Sequence, residues 1–160
     1  MLRFSIWQLL LAISVIAIAL AALLNASPLV SAAMTAAVSV ALACAVLLAI
    51  YRQGEQRAFW IGFALLGWLY ILFCHGDFFS GNTNPYGWSR LITSRLATAL
   101  YDAMYLQHLS RLGGGPPVAV GPDRVDFLNI AHALSAFVLA VAGGCFARWA
   151  HFGSTQVRAR

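Results

Sequence analysis

Four long apolar runs, separated by short polar interruptions, set the pattern of this chain. The first covers residues 4–24 and is broken only by Ser5, Gln8 and Ser14. The second covers 29–51, the third 58–76, and the fourth 125–150. Each is close to the roughly 20 residues that an α-helix needs to cross the hydrocarbon core of a bilayer. Between the third and fourth runs the period changes. From 89 to 112, Ile92, Leu96, Ala99, Leu100, Ala103 and Leu106 recur at steps of three and four, with Arg95, Thr98, Tyr101, Asp102, Tyr105 and His108 opposite. That spacing predicts an amphipathic helix in the loop between spans 3 and 4. It either lies on the membrane surface or caps the bundle, because crossing the bilayer would bury Arg90, Arg95, Asp102 and Arg111 in hydrocarbon.

The interruptions carry turn chemistry. Asn25-Ala26-Ser27-Pro28 ends the first run, since proline lacks the amide proton that a continuing helix needs and Asn and Ser hydrogen-bond locally. Residues 52–57 read as a short hydrophilic loop. Gly76, Asp77, Ser80, Gly81, Asn82, Asn84 and Pro85 end the third run, and Gly113 to Pro117 form a linker after the amphipathic segment. Pro122 and Asp123 announce the start of the fourth span, with Asp126 placed at the positive end of its dipole.

Composition assigns the solvent. Of 160 residues, 61% are hydrophobic and only 9% charged, against about a quarter charged in soluble domains. The reading is an all-α integral membrane protein: four transmembrane helices plus the amphipathic helix, in one domain over residues 1–160. A cleaved secretory signal is the rival for the first run, but that run exceeds the 7–15 residues of a signal core. With four crossings, Arg3, Arg52, Arg57, Arg148, Arg158 and Arg160 share one side with Glu55, while Arg90, Arg95, Arg111 and Arg124 face Asp77, Asp102, Asp123 and Asp126 on the other. The whole formal charge of +5 then lies on the first side, which places both termini in the cytoplasm of a bacterial inner membrane.

Small residues mark the expected helix contacts. Ala33, Ala37, Ala41 and Ala45 recur every four positions in the second span, and His132, Ala136, Ala140 and Gly144 do so in the fourth. Such ridges let helix backbones approach closely, the main source of packing energy where lipid is as apolar as the helices. In the third span Gly62 and Gly67 are five apart, so they form no GxxxG pair.

Candidate chemistry is sparse. His75 and His132 fall at similar depth near the outer ends of spans 3 and 4, an arrangement able to hold a b-type haem between axial imidazoles. The competing reading has His132 hydrogen-bonded to a neighbouring helix. A divalent ion on His75, Asp77, Asp126 and His132 lacks any tight ligand spacing, so no metal is expected. Cys44, Cys74 and Cys145 form no CxxC pair and read as unreactive thiols. There is no nucleophile elbow or phosphate loop, and the scattered arginines give no nucleic-acid surface.

The opening Arg3-Phe4-Ser5-Ile6 with Leu9 and Leu10, the run Phe63-Ala64-Leu65-Leu66-Gly67-Trp68 with Tyr70, and His132 with Gly143, Gly144, Ala147 and Arg148 resemble small multi-span membrane proteins common in planctomycete bacteria. Ala131 stands where those proteins place glycine before the histidine, and Trp7 and Gln8 where they place a basic residue. The resemblance implies a location and a topology and no activity. The expected function is a non-catalytic, self-associating bundle or a small accessory or scaffold subunit, its partners being membrane lipid, further copies of itself or other membrane subunits. No cofactor is expected on that reading, and the alternative is a haem b electron carrier using His75 and His132.

Overall fold

In the computed structural model, which describes residues 6–75, 92–106 and 123–158, the chain is helical and the described residues contain no strand. Helix α1 covers Ile6–Leu24, α2 Pro28–Tyr51, α3 Gly54–His75, α4 Ile92–Tyr101 with a continuing π-turn at Asp102–Leu106, and α5 Arg124–Arg158. Three of them, within α2, α3 and α5, are long and apolar enough to cross a membrane, and α1 contains a shorter apolar stretch, Ile13–Leu24. At 1.5 Å per residue, the 24 residues of α2 and 22 of α3 span about 36 and 33 Å, near the thickness of the hydrocarbon core. The segments holding Gly76 to Pro85, His108 and Gly113 to Pro117 lie outside the described residues.

The turn after α1 and the start of α5 are where the sequence places them, and their chemistry is local. Asn25 donates from its side-chain amide to the Ala21 carbonyl at 3.0 Å, closing α1. Ser27 then caps α2, its hydroxyl accepting from Val30 N–H at 3.4 Å, with Pro28 in the first helical position. Asp123 caps α5 by accepting from Val125 N–H at 3.0 Å, and Asp126 sits in the first turn, at the positive end of the helix dipole. Between α2 and α3 the expected six-residue loop is shorter. Only Arg52 and Gln53 lie outside helix, because Gly54, at φ +62°, takes a left-handed conformation that turns the chain at once into α3. At the far end α5 continues past residue 150 to Arg158, as no proline follows to stop it.

The core is formed by α2, α3 and α5. Val38, Leu42 and Ala45 of α2 meet Phe63 and Ala64 of α3 and Ala133, Ala136 and Ala140 of α5. Glycines set how close α3 and α5 come. A β-carbon on Gly143 would lie 2.6 Å from the Gly62 carbonyl oxygen, and one on Gly62 would strike the backbone of Gly143. Gly67 makes room for Leu42, and Gly144 for the ring of Phe59. This backbone approach multiplies dispersion contacts between the two helices and holds them together.

A second cluster joins the remaining helices to α5. Ala22 and Ala26, at the end of α1 and the following turn, pack with Phe127 and Ile130, both fully buried. The π-turn places Tyr105 alongside Tyr101 at 5.0 Å between ring centroids, and both rings stand against Phe127, at 5.3 and 6.3 Å. Thus α4 lies on α5. Its inward face is Ser94 and Ala97 with half-buried Tyr101 and Met104, whereas Ile92, Leu96 and Leu100 point outward, Ile92 being 83% exposed. The apolar stripe legible in the sequence therefore faces away from the bundle, because the small Ser94 and Ala97 allow the closer approach.

Candidate functional site: a buried histidine node

His132 is the polar centre of the fold. It lies eight residues into α5, about 12 Å from the start of that helix, and is only 4% exposed. Tyr70 Oη is 2.9 Å from its Nδ1 and Cys74 Sγ is 3.5 Å from the same nitrogen, while Ser94 Oγ is 3.2 Å from Nε2. Tyr70 also donates its hydroxyl proton to Thr93 Oγ1 at 2.9 Å. With its own proton given to Thr93, the Tyr70 oxygen is able to accept from Nδ1–H, and the Ser94 hydroxyl is then able to donate to Nε2. Both imidazole nitrogens are engaged, in a row running Ser94, His132, Tyr70, Thr93. One group from α3, one from α5 and two from α4 close that row, so it ties three helices that share no covalent neighbour.

The local sequence explains why these side chains meet. Tyr70 and Cys74 are four apart on α3, so both project from one face one turn apart. Thr93 and Ser94 are adjacent on α4, Thr93 meeting the Tyr70 hydroxyl and Ser94 the His132 Nε2. His132 shares its ridge with Ala136, Ala140 and Gly144, all buried, and the small residues bring α3 near enough for the Tyr70 contact.

Beside the node is a cavity of about 230 Å³ among α2, α3 and α5. Thr35 and Ser39 of α2 line one wall, Tyr70 and Cys74 another, and Asn129 and His132 the third. Thr35 donates to the Ser31 carbonyl and Ser39 to the Thr35 carbonyl, both at 2.9 Å, so their hydroxyl protons are directed at the helix and their lone pairs remain. Among the described residues that line it, none carries a carboxylate, ammonium or guanidinium group.

The predicted positions fare differently. The α5 ridge of His132, Ala136, Ala140 and Gly144 is wholly inside. Of the α2 ridge, Ala45 is buried and Ala41 half-buried, but Ala33 and Ala37 are exposed; the inward face is Ser31, Val38, Leu42 and Ala45. His75 closes α3, and its side chain, like Asp77, lies outside the described residues. Both nitrogens of His132 have partners already, so nothing in this geometry favours an axial-ligand role. Among the described residues no group of three or more His, Cys, Asp or Glu side chains comes together. Cys44 and Cys145 are exposed on the bundle surface, and Cys74 is buried at the histidine. Ser94 beside an imidazole has the elements of a nucleophile and base, yet it is 3% exposed and does not line the cavity. Tyr70, Thr93 and Ser94 are the partners that sequence reasoning missed. The one available signal was the demand that a buried intramembrane histidine be hydrogen-bonded.

Comparison with protein-family models, curated proteins and solved structures returns no match to this chain.

Proposed function

We propose that this chain is an integral protein of a bacterial inner membrane, crossing it four times through α1, α2, α3 and α5 with both termini in the cytoplasm. It acts without catalysis, as a self-associating bundle or a small accessory or scaffold subunit of a larger membrane complex. The observation that carries this reading is the row from Ser94 to Thr93. Its polar groups satisfy one another across three helices, which makes it a device for fixing helix geometry, in keeping with the value of satisfied polar networks in low-dielectric surroundings. The rest of the exterior supports a role in assembly. The Ala33 and Ala37 ridge of α2 faces outward and is small enough for another helix to approach. Along α4, the outward Ile92, Leu96 and Leu100 suit the headgroup boundary or a neighbouring subunit. The charge asymmetry between the two sides supports the orientation.

The test is purification from native membranes in a mild detergent, followed by size measurement, crosslinking and identification of whatever accompanies the chain. The reading expects a particle larger than one 17.2 kDa chain, made of further copies or of other membrane subunits. A monodisperse monomer that crosslinks to nothing would overturn it.

A further inference from the structure

We propose that the cavity beside His132 is a binding site for an uncharged hydroxylated ring, a phenol or the head group of a quinol. The argument begins with size. An apolar cavity of about 150 Å³ is large enough to hold benzene, so the roughly 230 Å³ here accommodates one ring with a substituent. Charge narrows the class. Among the described residues the imidazole of His132 is the basic group in the walls and no carboxylate, ammonium or guanidinium joins it, so an ion placed there would lose its hydration without a fixed counter-charge.

Hydrogen-bond polarity narrows it further. Thr35 and Ser39 direct their protons at backbone carbonyls, so toward the cavity they offer lone pairs. Asn129 adds an amide, which can both accept and donate. A ligand that brings an O–H donor finds acceptors on two helices, and its oxygen can take a proton from the amide. A quinone without its hydroxyl protons would face Thr35 and Ser39 as lone pair against lone pair. The aromatic side chain of Tyr70 and the His132 imidazole, their centroids 6.2 Å apart, supply a wall against which a flat ring can lie. This site is independent of the assembly reading, because it uses the interior of one chain.

The experiment is ¹⁹F NMR of 4-fluorophenol added to the full chain in lipid nanodiscs, with empty nanodiscs subtracted to remove simple partitioning. A saturable bound signal is expected. Fluorobenzene, lacking the hydroxyl, should bind at least tenfold more weakly. The double variant Thr35→Val with Ser39→Ala keeps helix-compatible side chains and should reduce 4-fluorophenol binding about tenfold. Its circular dichroism should match that of the parent chain, so a folding defect is recognisable. Short-tailed benzoquinol that displaces the fluorophenol assigns the site to a membrane-borne head group, and failure to displace assigns it to free phenols. Absence of a saturable component, equal binding of fluorobenzene, or unchanged binding in the folded double variant would each overturn the proposal.

Discussion

Replacing Gly143 by alanine tests whether α3 and α5 are held by backbone approach. The new β-carbon would lie 2.6 Å from the Gly62 carbonyl oxygen and 2.7 and 2.9 Å from Leu66 carbons. Since non-bonded carbons settle at about 3.5–4.0 Å, the helices must separate by roughly 0.5–1 Å. A gap of that size forfeits about a quarter to a half of each contact well of about 0.1–0.2 kcal/mol. Over roughly 20–30 flanking atom pairs this amounts to about 1–2 kcal/mol, within the range of about 1–3 kcal/mol known for overpacking. Alanine recovers up to about 1 kcal/mol of helix propensity relative to glycine. The difference leaves a net destabilisation of about 0–1.5 kcal/mol for the single variant. Gly62→Ala meets the Gly143 backbone still more closely and also Ala147, 2.5 Å away, so it should be at least as severe. The double variant is the more telling measurement. Once one methyl group has opened the gap, the second has less to disturb, and the pair should cost less than the sum by about 1 kcal/mol. Reversible unfolding in mixed micelles, followed by tryptophan fluorescence and circular dichroism, reads all three. Ala142→Val, on the exposed side of α5, is the control and should stay within about 0.5 kcal/mol. Strict additivity in the double variant would refute the close crossing.

Two further outcomes follow from the node and the surface. Tyr70→Phe removes the hydroxyl that joins Thr93 to His132 and leaves Nδ1 to the longer Cys74 contact, and should destabilise the bundle by about 1–3 kcal/mol; a cycle with Ser94→Ala should show coupling of at least about 0.5 kcal/mol through the shared imidazole, and zero coupling in the same unfolding assay would mean the row does not act as a unit. Glu55→Gln breaks an ion pair with Arg148 of 3.5 Å whose side chains are 42% and 58% exposed, so stability should change by less than about 1 kcal/mol, with a larger change contradicting its surface position.

The sequence was most legible where chemistry is local. Asn25 to Pro28 and Asp123 declare helix ends through side-chain hydrogen bonds that involve only near neighbours, and the structure has its turns there. Apolar run length announced four spans, and among the described residues three of them, within α2, α3 and α5, are long and apolar enough to cross a membrane, while α1 has only the shorter stretch Ile13–Leu24. What periodicity does not encode is which of several similar faces turns inward. On α2 the alanine ridge and the Ser31, Val38, Leu42 ridge are both apolar enough for either side, and the choice falls to the partner: Gly67 leaves a hollow that Leu42 fills. The same holds for α4, where Ile92, Leu96 and Leu100 point away from the bundle and the small Ser94 and Ala97 face α5. Gly62 pairs with Gly143 on another helix, so counting glycine spacing within α3 alone passed over the contact. His132 was identifiable as inward-facing from its ridge, but its partners come from helices 38 and 62 residues away in sequence. Only the assembled bundle brings them together.

The most direct test of the whole arrangement is an oxygen-accessibility scan along α5, with single spin-labelled cysteines introduced one at a time from residue 130 to 147 of a chain lacking its native cysteines, reconstituted in lipid. Accessibility should follow the helical period, with minima at 132, 136, 140 and 144 and maxima at 138, 142 and 146, in step with the buried and exposed positions of this helix. A flat profile, or one with its maxima at His132 and Gly144, would contradict the account.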